Sequence, residues 1–241
     1  MRALVRSALD ATLPRRCGIC RRGMSASEVR GICSACWGAI PRIEGPRCSL
    51  CGVPFGSEAA VSHSPMHRCG TCRESPPSFT RAVAAGLYTG VLAEAIRRCK
   101  YQKQVDLVSI LGELLDPVLQ TLPPVDAVVA VPLHVRRLRQ REFNQSLRIA
   151  AWVAHRLERP LWPDVLRRIR WTDSQTALDR ADRKTNVRRA FAVRDKTAVA
   201  GRRLALVDDV YTTGATVNEC ARALRSAGAS DVYVVTVAHM P

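Results

Sequence analysis

One contiguous segment, residues 204–216, constrains the fold more than any other part of the chain. It reads Leu-Ala-Leu-Val-Asp-Asp-Val-Tyr-Thr-Thr-Gly-Ala-Thr, an apolar run that ends in two carboxylates and a short loop of hydroxyl-bearing and small residues. We predict a strand, a loop and then a helix from about Thr216. Loop N–H groups and a helix dipole together favour a phosphate. Carboxylates at the strand end can accept hydrogen bonds from sugar hydroxyls or hold Mg²⁺ through water.

An ordinary strand that ends in Asp, followed by a Thr N-cap, is the plain alternative for this segment. The segment has neither the Walker A spacing nor a G-x-G-x-x-G fingerprint. It resembles the phosphoribosyl pyrophosphate (PRPP) loop of type I phosphoribosyltransferases. The resemblance implies that Asp208 and Asp209 contact the ribose hydroxyls, and that the 5-phosphate is held by Thr212, Thr213, Gly214, Ala215 and Thr216. Tyr211 is bulkier than the aliphatic residue often found there and could cover the site.

Eight of the ten cysteines form four C-x-x-C pairs in the first third of the chain. Two such pairs can converge on one tetrahedral Zn²⁺. Sequential pairing predicts two structural zinc ions, with His63 and His67 as possible substitutes in the second site. Disulfides and a thioredoxin-like redox pair fit less well, since no secretory signal or βαβ context accompanies the pairs. An iron–sulfur cluster suits four evenly repeated pairs less well than zinc does. The ligands predicted are Cys17, Cys20, Cys33 and Cys36 for one ion, and Cys48, Cys51, Cys69 and Cys72 for the other.

The rest of the chain alternates apolar strands with amphipathic helices, which predicts an α/β fold with a mostly parallel sheet flanked by helices. Ligands of such sheets bind beyond the carboxyl ends of the strands. We place a basic loop over 133–143, which would lie there together with the loop over 208–216. The predicted strands are 79–88, 126–132, 165–169, 190–193, 203–209 and 231–238. One helix is predicted to begin at Gly90, and three more to cover 105–120, 144–158 and 216–227.

Composition bounds the class of protein. No apolar run reaches the 18 residues of a membrane span, and residues 1–13 read as a short amphipathic helix rather than a signal peptide, so we expect a cytoplasmic protein. A linker of Ser and Pro near residue 76 divides the chain into a metal module over 1–76 and a phosphoribosyltransferase-like domain over 77–241. The net charge of +16 suits a polyanionic ligand, but equally an Arg-rich solvated surface.

Further motifs narrow the resemblance to ComF-type proteins. The segment 131–145, the segment 175–191 and the cysteine module placed before them all resemble that family, over essentially the whole chain. Glu142 departs from the family, which usually has Gly before Phe-Asn-Gln. The resemblance implies a phosphoribosyltransferase-type fold and a link to competence and DNA uptake. We expect pyrophosphate contacts from Leu133, His134, Arg137, Arg139 and Arg141, and a phosphate contact from Lys100 at the end of a helix.

Two functions follow as hypotheses. We favour an enzyme, a phosphoribosyltransferase (a glycosyltransferase) that binds Mg²⁺ with PRPP and serves competence, DNA uptake or nucleotide salvage. The alternative is a non-catalytic, zinc-containing DNA-uptake factor whose PRPP site is regulatory, with single-stranded DNA and proteins of the competence machinery as partners. The sequence does not identify the nucleobase or other acceptor.

Overall fold

A computed structural model describes residues 15–25, 28, 31–56, 66–102, 104, 106–141, 143–171 and 185–241, without the side chains of 140 and 141. The helix predicted over 1–13 lies outside these residues. The strands are β1 (Arg81–Leu87), β2 (Ala127–Ala130), β3 (Leu166–Arg168), β4 (Phe191–Val193), β5 (Arg203–Tyr211) and β6 (Asp231–His239). The helices are α1 (Ser34–Gly38), α2 (Gly70–Glu74), α3 (Gly90–Tyr101), α4 (Leu107–Glu113), α5 (Asp116–Leu119), α6 (Val135–Arg141), α7 (Gln145–Leu157), α8 (Lys196–Val199) and α9 (Ala215–Ser226).

The main sheet has the order β1-β6-β5-β2, and every neighbouring pair is parallel. Its strands are buried along almost their whole length because side chains on both faces enter apolar clusters. Val128 and Ala130 face one cluster while Ala127 and Val129 face the other, which is the two-residue alternation of a strand. The predicted fold class, a parallel sheet flanked by helices beside a small cysteine module, is confirmed.

Helices cover the two faces of this sheet. Helix α7 packs on β2 and β5, and α9 packs on β5 and β6. Helix α9 ends where expected, since Ala227 caps it and Gly228 follows with a φ of +98°. The strand predicted over 203–209 continues to Tyr211, because β6 offers paired backbone as far as His239.

Two local predictions are wrong, and two predicted strands pair in an arrangement that was not predicted. The helix expected over 105–120 is broken into α4 and α5, because Pro117 supplies no N–H donor and stands in the first turn of α5. The basic loop expected over 133–143 contains α6, whose Arg, Gln and Leu residues are good helix formers. Strands β3 and β4 pair with each other antiparallel in a separate two-stranded sheet, and do not join the parallel sheet.

The cysteine module lies along the outer edge of β1. The backbone N–H of Ala82 donates to the carbonyl of Leu50 at 2.7 Å, and the N–H of Leu87 donates to the carbonyl of Pro41 at 2.7 Å. These bonds occupy backbone groups that an edge strand otherwise exposes. Cysteines of the module also share apolar clusters with the sheet and helices, so the module and the sheet form one packed unit.

Candidate functional site

A cavity of about 300 Å³ opens at the carboxyl edge of the main sheet. All four strands deliver residues to it because the strands are parallel and end at the same edge. Helix α3 reaches it with its last turn, and α7 and α9 with their first turns. Its polar lining residues include Lys100, Arg137, Asn144, Gln145, Ser146, Arg168, Asp208, Asp209, Thr212 and Thr216.

Asp208 lies near the end of β5 and is held by two donors. The Ser146 hydroxyl donates to Asp208 Oδ1 at 2.8 Å, and the Asp209 backbone N–H donates to the same oxygen at 2.9 Å. Burial, and after it the negative charge of Asp209, raises the pKa of Asp208 to about 7. The carboxyl group is therefore oriented by the protein, and a cation in the cavity would favour its charged form.

Asp209 forms an ion pair with the lysine at the end of α3. Lys100 Nζ lies 2.7 Å from Asp209 Oδ2, and the two side chains are 17% and 11% exposed. Burial opposes the charge on Lys100, but the neighbouring groups, Asp209 first and then Asp208, together raise the pKa of the ammonium. Lys100 thus lies in the cavity, where it contacts the carboxylate predicted to hold the ribose.

The predicted phosphate loop turns sharply between β5 and α9. Gly214 adopts a φ of +74°, and a Cβ at this position would lie 2.2 Å from the Tyr211 hydroxyl oxygen. Both observations require glycine here. Tyr211 is buried, stacks on His239 with ring centroids 4.6 Å apart, lies against Gly214 and so supports the loop, and also lines the cavity. Thr212, Gly214 and Thr216 line the cavity.

Of the predicted pyrophosphate residues, Leu133 and Arg137 reach the cavity. His134 instead accepts a hydrogen bond from the Arg136 backbone N–H at 3.3 Å and packs edge-on against a tryptophan ring. Arg139 is exposed on α6 and is absent from the cavity lining. The side chain of Arg141 lies outside the described residues.

Four further polar residues, which the sequence did not assign to the site, line the cavity. Ser146 orients Asp208, and Asn144 and Gln145 bring amide groups from the start of α7. Arg168, on β3, adds a second guanidinium to the cavity. Burial first, and then the charge of Arg137, lowers the pKa of Arg168. No sequence pattern placed Arg168 at the cavity, because it lies on a short strand of the separate β3–β4 sheet. Asn144 and Gln145 belong to a segment that resembles the family, but no function was assigned to them.

The eight cysteines of the C-x-x-C pairs converge in two groups. One consists of Cys17, Cys20, Cys33 and Cys36, and the other of Cys48, Cys51, Cys69 and Cys72, with all sulfur atoms of a group within 4.8 Å of one another. The Cys20–Cys33 and Cys51–Cys69 sulfur distances are both 3.7 Å. A Zn–S bond of about 2.3 Å in a tetrahedron places sulfurs about 3.8 Å apart, so both groups fit Zn²⁺.

Backbone donors surround these sulfurs as expected for metal thiolates. Burial alone would raise the pKa of Cys17, but the N–H groups of Cys33, Cys20 and Ile19 lower it to about 6. Burial raises the pKa of Cys36 in the same group. Four thiolates so close together therefore need a bound cation. His67 packs edge-on against Phe55 beside the second group, and His63 lies outside the described residues.

Comparison with known proteins gives a matching family model and several relatives. Residues 8–73 match the double zinc ribbon domain. The DNA utilization protein YhgH of Salmonella typhi is 35% identical over 92% of this chain and 96% of that protein. Competence protein F of Haemophilus influenzae is 31% identical over 91% and 94%. Competence protein ComFC of Bacillus subtilis is 24% identical over 82% and 79%.

Two solved structures can be superposed on just over half of this chain. The glutamine PRPP amidotransferase of B. subtilis, complexed with ADP and GMP, aligns with a TM-score of 0.39 and 24% identity over 55% of this chain and 27% of that chain. The adenine phosphoribosyltransferase of Thermoanaerobacter pseudethanolicus aligns with a TM-score of 0.36 and 17% identity over 57% and 83%. Within the described part of this chain, no helix has the length and apolar content needed to cross a bilayer.

Proposed function

Because this chain belongs to the ComF family of competence and DNA-utilization proteins, we propose that its cavity binds PRPP and that the protein is a phosphoribosyltransferase linked to DNA uptake or nucleotide salvage. One observation carries the proposal. The Asp208–Asp209 pair, the glycine-containing loop at the start of α9 and the cations Lys100 and Arg137 all line one cavity at the carboxyl edge of the sheet. Residues 77–241 would carry this site, and residues 1–76 the metal module.

The charges of the cavity complement the parts of PRPP. The 5-phosphate would lie on the loop from Thr212 to Thr216, where N–H groups and the α9 dipole favour an anion. The ribose hydroxyls would donate to Asp208 and Asp209. The pyrophosphate would face Arg137 and Arg168, whose mutual repulsion an anion would relieve.

The chemical step would be transfer of the phosphoribosyl group to an acceptor, with loss of pyrophosphate. The bond from ribose C1 to the pyrophosphate oxygen breaks, and its electron pair leaves with pyrophosphate. The acceptor nucleophile forms a new bond at C1 and gives up its proton to water or to the departing pyrophosphate. Positive charge then develops on the ribose beside Asp208 and Asp209, and negative charge on the leaving group beside Arg137 and Arg168. Such fixed charges stabilise the transition state more than the ground state, which is the condition for catalysis.

Metal ions would support both parts of the protein. Mg²⁺ prefers carboxylate and phosphate oxygens, and when bound with PRPP it would neutralise phosphate charge next to Asp208 and Asp209. The two cysteine groups would each hold a structural Zn²⁺, with all four positions of the tetrahedron occupied by sulfur. Closed sites of this kind stabilise a fold and leave no position for a substrate.

Calorimetric titration with Mg²⁺–PRPP tests the proposal. The natural chain should bind, and Asp208→Asn/Asp209→Asn should bind at least tenfold more weakly. Asp164→Asn, at an exposed position, is a matched control that should bind like the natural chain. The proposal fails if the natural chain does not bind, and the function given to the carboxylates fails if the double variant binds equally well. Release of pyrophosphate with a purine or pyrimidine base would then establish transfer.

A second function, a non-catalytic DNA-uptake factor with a regulatory PRPP site, is favoured by the concentration of basic residues in one part of the sequence. The span 134–194 contains 16 Lys and Arg residues against six Asp and Glu residues. Arg136 and Arg137 both lie over the Trp171 ring, at 5.8 and 5.5 Å. Single-stranded DNA binding with a steep salt dependence, together with PRPP binding but no pyrophosphate release with any base, would favour this function.

A further inference from the structure

The first turn of α7 brings two amide side chains to the cavity. Asn144 precedes the helix with φ −96° and ψ 110°, the backbone of an N-cap, yet its side chain makes no capping hydrogen bond. Its Nδ2 donates to the carbonyl of Val131 at 3.1 Å, which fixes the orientation of the amide. Its Oδ1 is buried and has no hydrogen-bond partner among the described residues.

Gln145, the next residue, is more unusual. It is 4% exposed, lines the same cavity, and neither Oε1 nor Nε2 has a hydrogen-bond partner in the part of the chain that the structure describes. Buried amide groups are nearly always hydrogen-bonded, because removing them from water without a partner is costly. A polar side chain left in this state beside a cavity indicates a ligand that supplies the missing partners.

We infer that Asn144 and Gln145 form an amide subsite that binds an uncharged ligand group carrying a hydrogen-bond donor beside an acceptor. A phosphate offers only acceptors at its ionised oxygens, so it would satisfy Gln145 Nε2 and leave Oε1 unpaired. A sugar hydroxyl, or the amide-type edge of a nucleobase, satisfies both atoms.

The other polar groups of the cavity strengthen this assignment. Asp208 is engaged by Ser146, and Asp209 by Lys100. Arg137 and Arg168 are cations and suit phosphates. Gln145 is therefore a neutral polar group beside the charged residues of the cavity. The inference rests on the proposed function, because it takes the phosphate groups of the ligand to lie against the cations. The amides then face the sugar or the acceptor.

The substitution Gln145→Met tests the subsite, since methionine keeps the length of the side chain and removes both hydrogen-bonding atoms. Gln120→Met is the matched control at an exposed position. Binding is measured by calorimetry for ribose 5-phosphate, for adenine and uracil in the presence of Mg²⁺–pyrophosphate, and for Mg²⁺–pyrophosphate alone. Thermal unfolding of the ligand-free proteins is measured in parallel.

Gln145→Met should weaken the binding of ribose 5-phosphate or of a base by tenfold or more. Its affinity for Mg²⁺–pyrophosphate should stay within about twofold of that of the natural chain. It should also raise the melting temperature by about 2–4 °C, because it removes unpaired buried groups. Loss confined to ribose 5-phosphate assigns the subsite to the sugar, and loss confined to a base assigns it to the acceptor. Gln120→Met should change neither binding nor melting.

Four results would overturn the inference: unchanged binding of every probe, equal weakening of Mg²⁺–pyrophosphate, a lowered melting temperature, or no binding of ribose 5-phosphate and of both bases to the natural chain. Its failure is separable from that of the proposed function. If Mg²⁺–PRPP binds and requires Asp208 and Asp209 while Gln145→Met has no effect, only the subsite is wrong. If Mg²⁺–PRPP does not bind but a base depends on Gln145, only the proposed function is wrong.

Discussion

Lys100 Nζ lies 2.7 Å from Asp209 Oδ2, so the last turn of α3 is connected to the end of β5 by a largely buried ion pair. The pair keeps an anionic and a cationic group ready in one cavity before any ligand binds. The stability that comes from the raised pKa of Lys100 is fully present below the ordinary pKa of a lysine, and it is lost as the pH rises through the elevated value.

Lys100→Met should lower the free energy of unfolding at pH 7 by about 3 kcal/mol, because it leaves a buried carboxylate without its partner. Adding Asp209→Asn should recover most of this loss, since the unpaired charge is then removed. Urea denaturation measures both effects, with the exposed Lys196→Met as control. A Lys100→Met variant as stable as the natural chain would contradict the importance given to the pair.

The raised pKa of Asp208 predicts a pH dependence of the ligand-free protein. Between the ordinary pKa of an aspartate and about 7, the native state binds more protons than the unfolded state, so stability falls as the pH rises through this range. Asp208→Asn should therefore be more stable than the natural chain at pH 8, by up to about 4 kcal/mol at about 1.4 kcal/mol for each pKa unit, and should lose this pH dependence. Denaturation from pH 4 to pH 8 tests it, and a parallel pH profile for both proteins would refute it.

The two cysteine groups predict about two zinc ions per chain by elemental analysis. Cys17→Ser and Cys48→Ser should each reduce the content to about one, whereas Cys99→Ala, outside both groups, should retain two. Cys48 shares an apolar cluster with Tyr211, which supports the phosphate loop, whereas Cys17 lies in the other cluster. Cys48→Ser should therefore weaken the binding of Mg²⁺–PRPP more than Cys17→Ser does. Protein purified without chelator that contains no zinc would contradict the assignment of the metal.

Gly214→Ala should destabilise the protein and weaken Mg²⁺–PRPP at least tenfold, because the new Cβ would meet the Tyr211 hydroxyl in a backbone that already disfavours side chains. Gly201→Ala is the matched control, with a similar φ of +72° but no atom within 4 Å of the added Cβ. Thermal unfolding should show a loss larger by about 1 kcal/mol or more for Gly214→Ala. Equal losses would show that backbone conformation alone is responsible.

Local patterns in the sequence were sufficient for much of the fold. The apolar runs that form β2, β5 and β6 and the periodic helices α3, α7 and α9 were predicted within a few residues, because each buries its own apolar positions. The predictions over 105–120 and 133–143 were wrong because they overlooked the helix break at Pro117 and the helix-forming residues of α6. Placing β3 and β4 in a separate antiparallel sheet depended on contacts between distant segments, which no local pattern contains.

The sequence by itself determined the chemistry of this protein: two adjacent carboxylates before a glycine-containing loop, four C-x-x-C pairs and an α/β alternation. These follow from residue type and spacing over a few positions. Only the tertiary structure decided that Lys100 pairs with Asp209, that Ser146 orients Asp208, and that Gln145 and Arg168 reach the same cavity. Such contacts join residues far apart in the chain, and they are brought together by the parallel strand order, by helix packing and, for Arg168, by the β3–β4 sheet.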